Sequence, residues 1–532
     1  MMADSRPSRA VNIGASAAIL VAVLCCALWG TYLERRETAV GFPLDDTWIH
    51  LQFARNLAEG QGFSFNPGEL SSGSSAPLWT LALAVPIGLG LLPLASAKLL
   101  GLALVAVTAL AAAALTRRLS GDRWAGLLAG LAVAITPRMA WAGLSGMEVP
   151  LYAALATLAM LSYVRALDRP DRAGTLWGLW AGLAGWARPE TFVAAAILSI
   201  AWLLGGARDP GTRRLVRGWW RPLVVLTLVG SGFVAFNLVT GGRPLPNTFY
   251  AKTYGMGTVM SLAEGRTLDA LLDLVRYPIN LLGDAIWWLA SHDGLLFGGA
   301  LVGVLALAGG LGHAAPRGGR ALLAVLVFTP IAKGLVAPQP PMLVHDGRYV
   351  IHLLVLSLVV CACGVAALRP YVRPRWALPA LAVAGLVQLG GATFGTMSTY
   401  AAEVKNINDL QVQTGHWLAE HTSPDARVAT NDIGAIGFFS RRYILDTEGL
   451  VTPDAIWDKR MWRIDRFFDR AQPDVVVIFP AWYPYLAGRR TGLVEVARVS
   501  AKKVIAGGEA LVIYRTPWTR PDRLRAGTYS NK

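Results

Sequence analysis

The stretch "GFPLDDTWIHLQFARNLAEGQGFSFNPGE", residues 41–69, begins a few residues after the first long apolar run of the chain. Within it, Ile49, Phe53 and Leu57 recur at the spacing of one helix face, and two glycines follow them. This pattern predicts an amphipathic helix that lies on a membrane surface. The stretch therefore belongs to a loop between the membrane and water.

Two neighbouring carboxylates, Asp45 and Asp46, open the predicted helix. One of them fits the N-cap position, where a carboxylate accepts hydrogen bonds from free backbone N–H groups. Adjacent side chains on a helix point in different directions, so a single cap explains only one member of the pair. The second carboxylate needs a cation, a basic side chain or a proton donor beside it, which favours a chemical role.

The composition indicates a polytopic helical membrane protein. Of 532 residues, 54% are hydrophobic and only 16% are charged, and the mean hydropathy is +0.44. A span needs about 20 apolar residues, and we predict about eleven spans. The four cysteines all lie inside apolar runs and indicate no disulfide or zinc site. The longer candidate spans are 11–31, 77–94, 96–116, 149–167, 221–239, 294–312, 320–337, 350–368 and 376–394, and the shorter ones are 123–136, 173–187 and 190–205.

The basic residues set the predicted topology. The net charge of +15 is concentrated in short loops, which the positive-inside rule places in the cytoplasm, so no nucleic-acid partner is implied. All these loops agree if segment 77–94 re-enters or lies along the membrane instead of crossing it. We expect a multi-pass membrane protein whose tail lies outside the cytoplasm. The basic loops are 116–123, 165–174, 207–221, 312–320 and 368–375.

The chain changes character near residue 395. We predict a membrane domain over residues 1–394, with its first outer loop at about 32–76, and a small extracytoplasmic α/β domain over 395–532. In this tail, "AEVKNINDLQVQTGHWLAEH" and "RIDRFFD" have helical spacing. "RVATND", "RYILDT", "PDVVVIF", "LVEVARVS" and "EALVIYRT" predict five short strands. "NDIGAIGFF" in the tail, with Asp432, reads as a structural turn.

The later outer loops supply charged and polar groups at the mouths of spans. Charged groups at such depth are costly and usually face a shared cavity. Basic groups there suit a phosphate, and carboxylates beside them suit proton transfer. The candidates for phosphate or donor binding are Arg188, Lys252, Arg348, Asn247 and Tyr250, and those lining the cavity are Glu148, Glu190, His345 and Tyr349.

Simpler interpretations exist for several of these residues. Arg188 and Glu190 fit a local ion pair at a helix end, and Lys252 fits a lysine that reaches to the interface. The histidines show no metal-ligand spacing, and no cofactor is implied with certainty. A divalent cation at Asp45 and Asp46 would need further ligands. The chain has no phosphate-binding loop for ATP.

Several motifs together resemble the C-type membrane glycosyltransferases, in particular the bacterial branch that contains the terminal arabinofuranosyltransferase. The motifs are "LDDTWIHLQFARNLAEGQGFSFNPGE", "LSGMEVPLYAALA", "ARPE", "PLPNTFYAK" and "VATNDIGAIGFFS…YILDTEGLV". The sequence departs from that pattern at "SSGSSAPLW", residues 71–79, where relatives often carry a threonine-asparagine step. The departure leaves the acceptor and the donor sugar open.

The resemblance implies a GT-C fold and the transfer of a sugar, arabinofuranose being one candidate, from a polyprenyl-phosphate donor to a cell-envelope glycan or glycoconjugate. It implies that the acidic residues matching Asp45 and Asp46 are catalytic, and we expect one of them, with Asp45 slightly favoured, to be the general base. Arg188, Lys252 or Arg348 would then neutralise the leaving phosphate.

Two other classes of protein compete with an enzyme. A transporter or flippase for a lipid-linked substrate explains buried charges, but such proteins hold them near the membrane centre, and no inverted repeat is visible. A membrane scaffold with an outer recognition domain explains the tail but gives the two aspartates no role.

Overall fold

The structure is a computed structural model. It describes residues 9–168, 170–207, 220–253, 258–292, 294–309, 316–336, 348, 351–484, 486 and 492–524. Of the residues predicted to line the cavity, His345 and Tyr349 lie outside the described residues.

The first 394 residues form a bundle of helices. Its helices are α1 (Arg9–Glu37), α2 (Asp45–Ala58), α3 (Pro77–Gly88), α4 (Pro93–Ser120), α5 (Arg123–Ile135), α6 (Pro137–Leu144), α7 (Val149–Ala166), α8 (Pro170–Ala187), α9 (Thr191–Ala207), α10 (Trp220–Gly241), α11 (Asn247–Thr253), α12 (Thr258–Ala263), α13 (Thr267–His292), α14 (Gly294–Gly309), α15 (Pro316–Val336), α16 (Ile351–Leu368) and α17 (Ala377–Ile407). Buried apolar side chains on α4, α7, α8 and α16 contribute to its core.

The number of spans differs from the prediction. Within the described residues, seven helices are long and apolar enough to cross a membrane, or eight if the bent pair α5 and α6 counts as one span. The predicted eleven spans are therefore not confirmed. Segment 77–94 contributes α3, whose 12 residues cover roughly 18 Å at 1.5 Å per residue. That length is too short for a full crossing, in agreement with the predicted re-entrant or in-plane segment.

Helix α2 forms where its amphipathic pattern predicted a helix, and protein packs against two of its faces. One face, with Trp48 and Leu51, packs into the core of the membrane bundle. The other face, with Ile49 and Phe53, packs into the core of the tail. The helix is covered on both sides because the tail sits on it, so its apolar stripe contacts protein instead of lipid.

The last span continues into the tail. α17 is followed by a π-helical turn, Asn408–Val412, and by α18 (Gln413–His421), so a helical stretch runs from Ala377 to His421. Its 45 residues measure roughly 68 Å, about twice the thickness of the hydrocarbon core. The predicted domain boundary near residue 395 falls inside this stretch, so the span and the tail share one rod.

The tail is a five-stranded sheet with helices, and all five predicted strands are present. The strands are β1 (Arg427–Thr430), β2 (Tyr443–Asp446), β3 (Val475–Ile478), β4 (Val494–Ser500) and β5 (Ala510–Arg515), and the helices after α18 are α19 (Gly434–Ser440), α20 (Ala455–Arg460) and α21 (Ile464–Ala471). The strand order is β2-β1-β3-β5-β4, with the first three parallel and the other pairings antiparallel. Alternating buried residues of β1 and β3 face α2 through a shared apolar core.

The first outer loop also completes the edge of this sheet. The side-chain amide of Asn66 donates to the carbonyl of Ile444 at 2.9 Å and accepts from its N–H at 2.9 Å. The edge strand β2 thus finds a partner that mimics a further strand. Together with the contacts of α2, this pairing fixes the tail on the first outer loop.

Candidate functional site

Four helices begin at one end of the bundle, close to the underside of the tail. Glu148 immediately precedes α7, Arg188 and Glu190 precede α9, Arg348 precedes α16, and Asp46 lies in the first turn of α2. Free N–H groups at each helix start carry partial positive charge. Side-chain contacts join the four starts, so charged residues that are distant in sequence form one cluster.

Glu148 is the centre of this cluster. It is fully buried, pairs with Nη1 of Arg188, and lies 3.3 Å from Nε2 of His50. Burial alone would raise the pKa of Glu148, but Arg188 and His50 outweigh it and hold the pKa below its ordinary value. The buried carboxylate is therefore ionised at neutral pH and fixes the position of Arg188.

Arg188 also donates to Glu190. Its Nη2 lies 2.9 Å from Oε1 of Glu190 and its Nε 3.3 Å from Oε2. Burial raises the pKa of Glu190, whereas Arg188 and then Lys333 lower it, and the net result is a pKa below the ordinary value. The simple interpretation of "ARPE" as a local ion pair is thus correct in part, because the same arginine also bridges to Glu148 on another helix.

The two adjacent aspartates point to different partners. Oδ2 of Asp46 lies 2.5 Å from Nη2 of Arg348, and 37% of the Asp46 side chain remains exposed. Asp45 instead reaches the tail, where its two oxygens accept the N–H groups of Gly434 and Ala435, each at 2.7 Å. The N-cap of α2 itself is Leu44, which makes no side-chain cap bond. The predicted cap of α2 is therefore absent, and Asp45 caps α19 of the tail instead.

The contact of Asp45 with α19 explains why residue 434 is a glycine. A Cβ on Gly434 would lie 2.0 Å from the carbonyl oxygen of Asp45 and 2.8 Å from its carboxylate. Only a residue without a side chain permits this approach. Burial, and then the charge of Asp432, raise the pKa of Asp45 well above its ordinary value, although the two N–H groups oppose the shift.

Asp432 brings a third carboxylate to the same place, from the carboxyl end of β1. Its oxygens accept the side-chain amides of Gln411, at 2.7 Å, and Asn431, at 2.8 Å. Burial, with a further contribution from Asp46, raises the pKa of Asp432 to about 6, although the Gln411 bond acts in the opposite direction. The turn at "NDIGAIGFF" is thus an element of the junction between tail and membrane domain.

His50 joins the first outer loop to the cluster. Its Nδ1 lies 3.1 Å from Oγ of Ser74, which in turn lies 2.9 Å from Oγ1 of Thr80. The sequence analysis missed His50, although its position four residues after Asp46 on α2 places both on one helix face. It also missed Lys333, a buried lysine in the apolar helix α15, which the rarity of charges inside spans would have revealed.

A narrow apolar cavity lies between the helices beside this cluster. Small side chains dominate its lining, and the polar members are Thr191 and His352. His352 is 2% exposed, and within the described residues neither ring nitrogen has a hydrogen-bond partner. The lining residues are Ala156, Ala159, Met160, Ala181, Ala184, Thr191, Ala194, Ala195, Leu198, Val325, His352 and Leu356.

The "PNTFYAK" segment lies on the first outer loop and beside the tail. The backbone N–H of the buried Asn247 donates to Oγ of Ser72 at 3.2 Å, and the side-chain oxygen of Asn247 has no partner in the described part of the chain. Tyr250 stacks under Arg243, at 5.0 Å from ring centre to guanidinium. Lys252 is close enough to Lys459 of the tail to lower the pKa of that lysine, after burial as the main cause. None of the contacts described for these three residues is to Arg188.

A divalent cation does not fit the aspartate pair. Both oxygens of Asp45 already accept backbone N–H groups, and Asp46 is paired with Arg348. In the described ranges, no group of three or more histidines, cysteines or carboxylates is arranged to hold a metal ion. We therefore assign no step to a metal at this position.

The fold is similar to that of solved glycosyltransferases. ArnT from Cupriavidus metallidurans bound to undecaprenyl phosphate has 14% sequence identity and a TM-score of 0.58, over 96% of this chain and 98% of that chain. The oligosaccharyltransferase AglB from Archaeoglobus fulgidus, in complex with an inhibitory peptide and a dolichol-phosphate, has 14% identity and a TM-score of 0.55, over 86% of this chain and 69% of that chain. The arabinofuranosyltransferase AftD from Mycobacteria has 16% identity and a TM-score of 0.54, over 96% of this chain and 40% of that chain.

These similarities confirm the predicted resemblance at the level of the fold. The chain has a GT-C fold with a small α/β domain at its C-terminal end. Residues 404–519 match a family described as a domain of unknown function, DUF8728. No curated protein matches the chain in sequence.

Proposed function

We propose that this protein transfers a sugar from a polyprenyl-phosphate donor to a cell-envelope glycan or glycoconjugate on the outer face of the bacterial inner membrane. The observation that carries the proposal is the position of two buried arginines, Arg188 and Arg348, at the joined N-terminal ends of α7, α9 and α16. They lie between a partly exposed carboxylate, Asp46, and an apolar cavity.

The donor side of the proposal rests on charge and cavity chemistry. Helix N-termini and guanidinium groups both favour a phosphate. The alanine-lined cavity adjoins Thr191 in the first turn of α9, three residues after Arg188, and would present an apolar lining to the lipid carrier. The lipid phosphates present in the ArnT and AglB structures support a carrier of this class. Asn247, Tyr250 and Lys252 would contact the donor headgroup from the adjacent outer loop.

Asp46 is the better candidate for the general base. The sequence slightly favoured Asp45, but both Asp45 oxygens are used by α19, whereas Asp46 keeps an exposed face. Asp46 would take the proton of the acceptor hydroxyl as that oxygen forms a bond to the anomeric carbon. The bond from the anomeric carbon to the phosphate oxygen breaks, and its electron pair leaves with polyprenyl phosphate. Arg348 and Arg188 would stabilise the charge on the departing phosphate.

The remaining acidic residues of the cluster hold these arginines in place. Glu148 and Glu190 bind Arg188 from two sides, and His50 supports Glu148. The activated donor carries its own free energy, so the reaction needs no ATP. Arabinofuranose is the first sugar to test, because the sequence resembles the arabinofuranosyltransferase branch and AftD has a similar fold.

The test is sugar transfer by purified protein in nanodiscs. Radiolabelled polyprenyl-phosphate sugars, with the arabinofuranose donor first, would be offered with a cell-wall glycan extract, alongside Asp46→Asn and a surface control, Asp269→Asn. We expect transfer by wild type and by the control, and none above background by Asp46→Asn. Bound lipid without any transfer, combined with movement of the lipid between leaflets, would instead support a flippase.

A further inference from the structure

We infer that the tail domain forms half of the acceptor site, with Asn431 and Asp432 binding hydroxyl groups of the acceptor sugar opposite Asp46. This inference rests on the proposed function and extends it from the membrane domain to the tail. Its basis is the topology of the sheet, the contacts of Asp432 and two buried oxygen atoms that lack partners.

The topology places a switch point at the carboxyl end of β1. The chain leaves β1 to form β2 on one side and β3 on the other, and all three strands are parallel. In open α/β sheets, ligands bind outside the carboxyl ends of the strands at such a switch point. Here the carboxyl end of β1 continues into Asn431, Asp432 and α19, and the start of α19 rests on Asp45. The switch point therefore lies against the first outer loop.

Two buried side-chain amides at this place have a hydrogen-bond partner for their nitrogen but not for their oxygen. Gln411 and Asn431, 3% and 6% exposed, each donate an N–H to one oxygen of Asp432. Oε1 of Gln411 and Oδ1 of Asn431 have no hydrogen-bond partner among the described residues. A buried acceptor without a donor destabilises the fold, so such atoms mark a position where a ligand or water donates.

A ligand bound at this place must carry several hydrogen-bond donors. Gln411 Oε1, Asn431 Oδ1 and the carboxylates of Asp432 and Asp46 are all acceptors. Asp46 is near enough for its charge to act on Asp432, so one ligand can contact both. Neighbouring hydroxyl groups of a sugar fit this lining, and the hydroxyl that faces Asp46 is the one that reacts. A metal ion is the rival occupant, but among the described residues no three histidines, cysteines or carboxylates are arranged to hold one.

The test separates acceptor binding from donor binding. We would compare wild type, Asp432→Asn, Asn431→Ala and the exposed tail control Asp425→Asn. For each we would measure KM and kcat for a cell-wall glycan extract, and the Kd for undecaprenyl phosphate. We expect the acceptor KM to rise about tenfold or more in the two site variants, which is the loss of about one good hydrogen-bonding contact. We expect kcat to fall less than KM rises, and undecaprenyl phosphate binding and thermal unfolding to stay close to wild type. Asp425→Asn should match wild type.

Three results would overturn the inference. An unchanged acceptor KM in Asp432→Asn would remove the tail from the acceptor site. Loss of undecaprenyl phosphate binding in the same variant would place Asp432 on the donor side. Loss of transfer after chelation, restored by Mn²⁺ in wild type only, would identify a cation site. If wild type transfers no sugar at all, the proposed function fails, and saturation-transfer NMR with methyl arabinofuranoside still tests the tail: signal lost in Asp432→Asn supports the site, and no signal with wild type contradicts it.

Discussion

Two buried ion-pair networks lie in the membrane domain, and they differ in what completes them. In the first, Nζ of Lys98 lies 2.7 and 2.6 Å from the two oxygens of Glu34 and 2.9 Å from the hydroxyl of Tyr400. Glu34 also accepts the N–H of Gly41 at 2.8 Å, and the Tyr400 hydroxyl donates to the Leu144 carbonyl. The protein itself thus supplies a partner for each donor of the lysine, and the network joins α1, α4 and α17.

The second network, from Asp46 through Arg348 and from Glu148 through Arg188, is not enclosed in this way. Its carboxylate Asp46 is partly exposed, and an apolar cavity lies beside it. Burying charges costs free energy whichever network holds them. The difference suggests that the Glu34–Lys98 network serves assembly of the bundle, whereas the Asp46–Arg348 network serves a ligand.

The variant with the largest expected effect on activity is Asp46→Asn, which tests whether the Asp46–Arg348 network serves catalysis. An amide cannot accept the proton of the acceptor hydroxyl, so we expect kcat to fall about 10²- to 10⁴-fold. The unfolding temperature should stay near that of wild type, because Asp46 is partly exposed and Asn keeps a hydrogen-bond acceptor for Arg348. Full activity in Asp46→Asn would remove this residue as the base, and the assay would then move to Asp45→Asn.

The converse experiment breaks the enclosed network. Lys98→Met leaves Glu34 buried without its cation, and removing one partner of a buried pair typically costs about 3–5 kcal/mol. The double variant Lys98→Met/Glu34→Leu should regain much of that stability, since no charge remains to be buried. Denaturation in detergent micelles measures the stability, and transfer per folded molecule should stay at the wild-type level in both variants.

A comparable apolar replacement in the second network should have the opposite effect on activity. Arg188→Met combined with Glu148→Leu and Glu190→Leu likewise leaves no uncompensated charge among these three residues, so we expect the protein to fold. We expect sugar transfer to fall strongly, because the leaving phosphate loses one of its two arginines. Transfer at the wild-type rate in this triple variant would make the second network structural as well and abolish the distinction.

Variants of Asp45 test whether activity requires the contact between the tail and the first outer loop. Asp45→Ala removes two hydrogen bonds to the start of α19, with an expected cost of about 1–3 kcal/mol, and Asp45→Asn should lose less because its amide oxygen still accepts one N–H. Hydrogen exchange over residues 427–446 should increase in Asp45→Ala, and activity should fall less than in Asp46→Asn. If Asp45→Asn is inactive while exchange is unchanged, Asp45 has a chemical role.

Local patterns in the sequence were sufficient for much of the fold. The five strands of the tail were predicted because alternation and β-branched residues are read over a few neighbours, and α2 was predicted from its spacing. The eleven predicted spans are not confirmed, because apolar runs such as 123–136 and 190–205 form helices of 13 and 17 residues, shorter than the roughly 20 residues of a typical span. The covering of α2 by the tail was not predicted, because an apolar stripe does not say whether lipid or another domain contacts it.

The site shows the same limit. The sequence identified Asp46, Glu148, Arg188, Glu190 and Arg348 as charges at the mouths of spans, and the structure brings them into one cluster. The divergence of the two aspartates followed from helix geometry. The partners of Asp45 did not, because they lie about 390 residues away in the chain and come close only when the tail docks. The participation of Asp432 depends on that same docking.

The smallest expected effect concerns pH and the junction of the two domains. Burial raises the pKa of Asp432 to about 6 from an ordinary value of 3.8, and the groups that face it are the carboxylates of Asp45 and Asp46 on α2 and the amides of Gln411 and Asn431. The folded protein therefore holds a proton that the unfolded chain has lost between these pH values. The stability this group contributes is complete below about pH 4 and is lost as the pH rises through 6.

Acceptor binding should change in the opposite direction. An ionised Asp432 accepts hydroxyl hydrogen bonds more strongly than a protonated one, so the acceptor KM of wild type should fall a few-fold as the pH rises from 5 to 7. In Asp432→Asn the change in acceptor KM near pH 6 should disappear, while changes caused by the titration of other groups remain. If Asp432 only supported the fold, its contribution to stability would fall as the pH rises, and acceptor binding would not improve. Better acceptor binding at higher pH therefore indicates that Asp432 contacts the acceptor. Identical pH profiles of KM in wild type and variant would assign Asp432 to the fold alone.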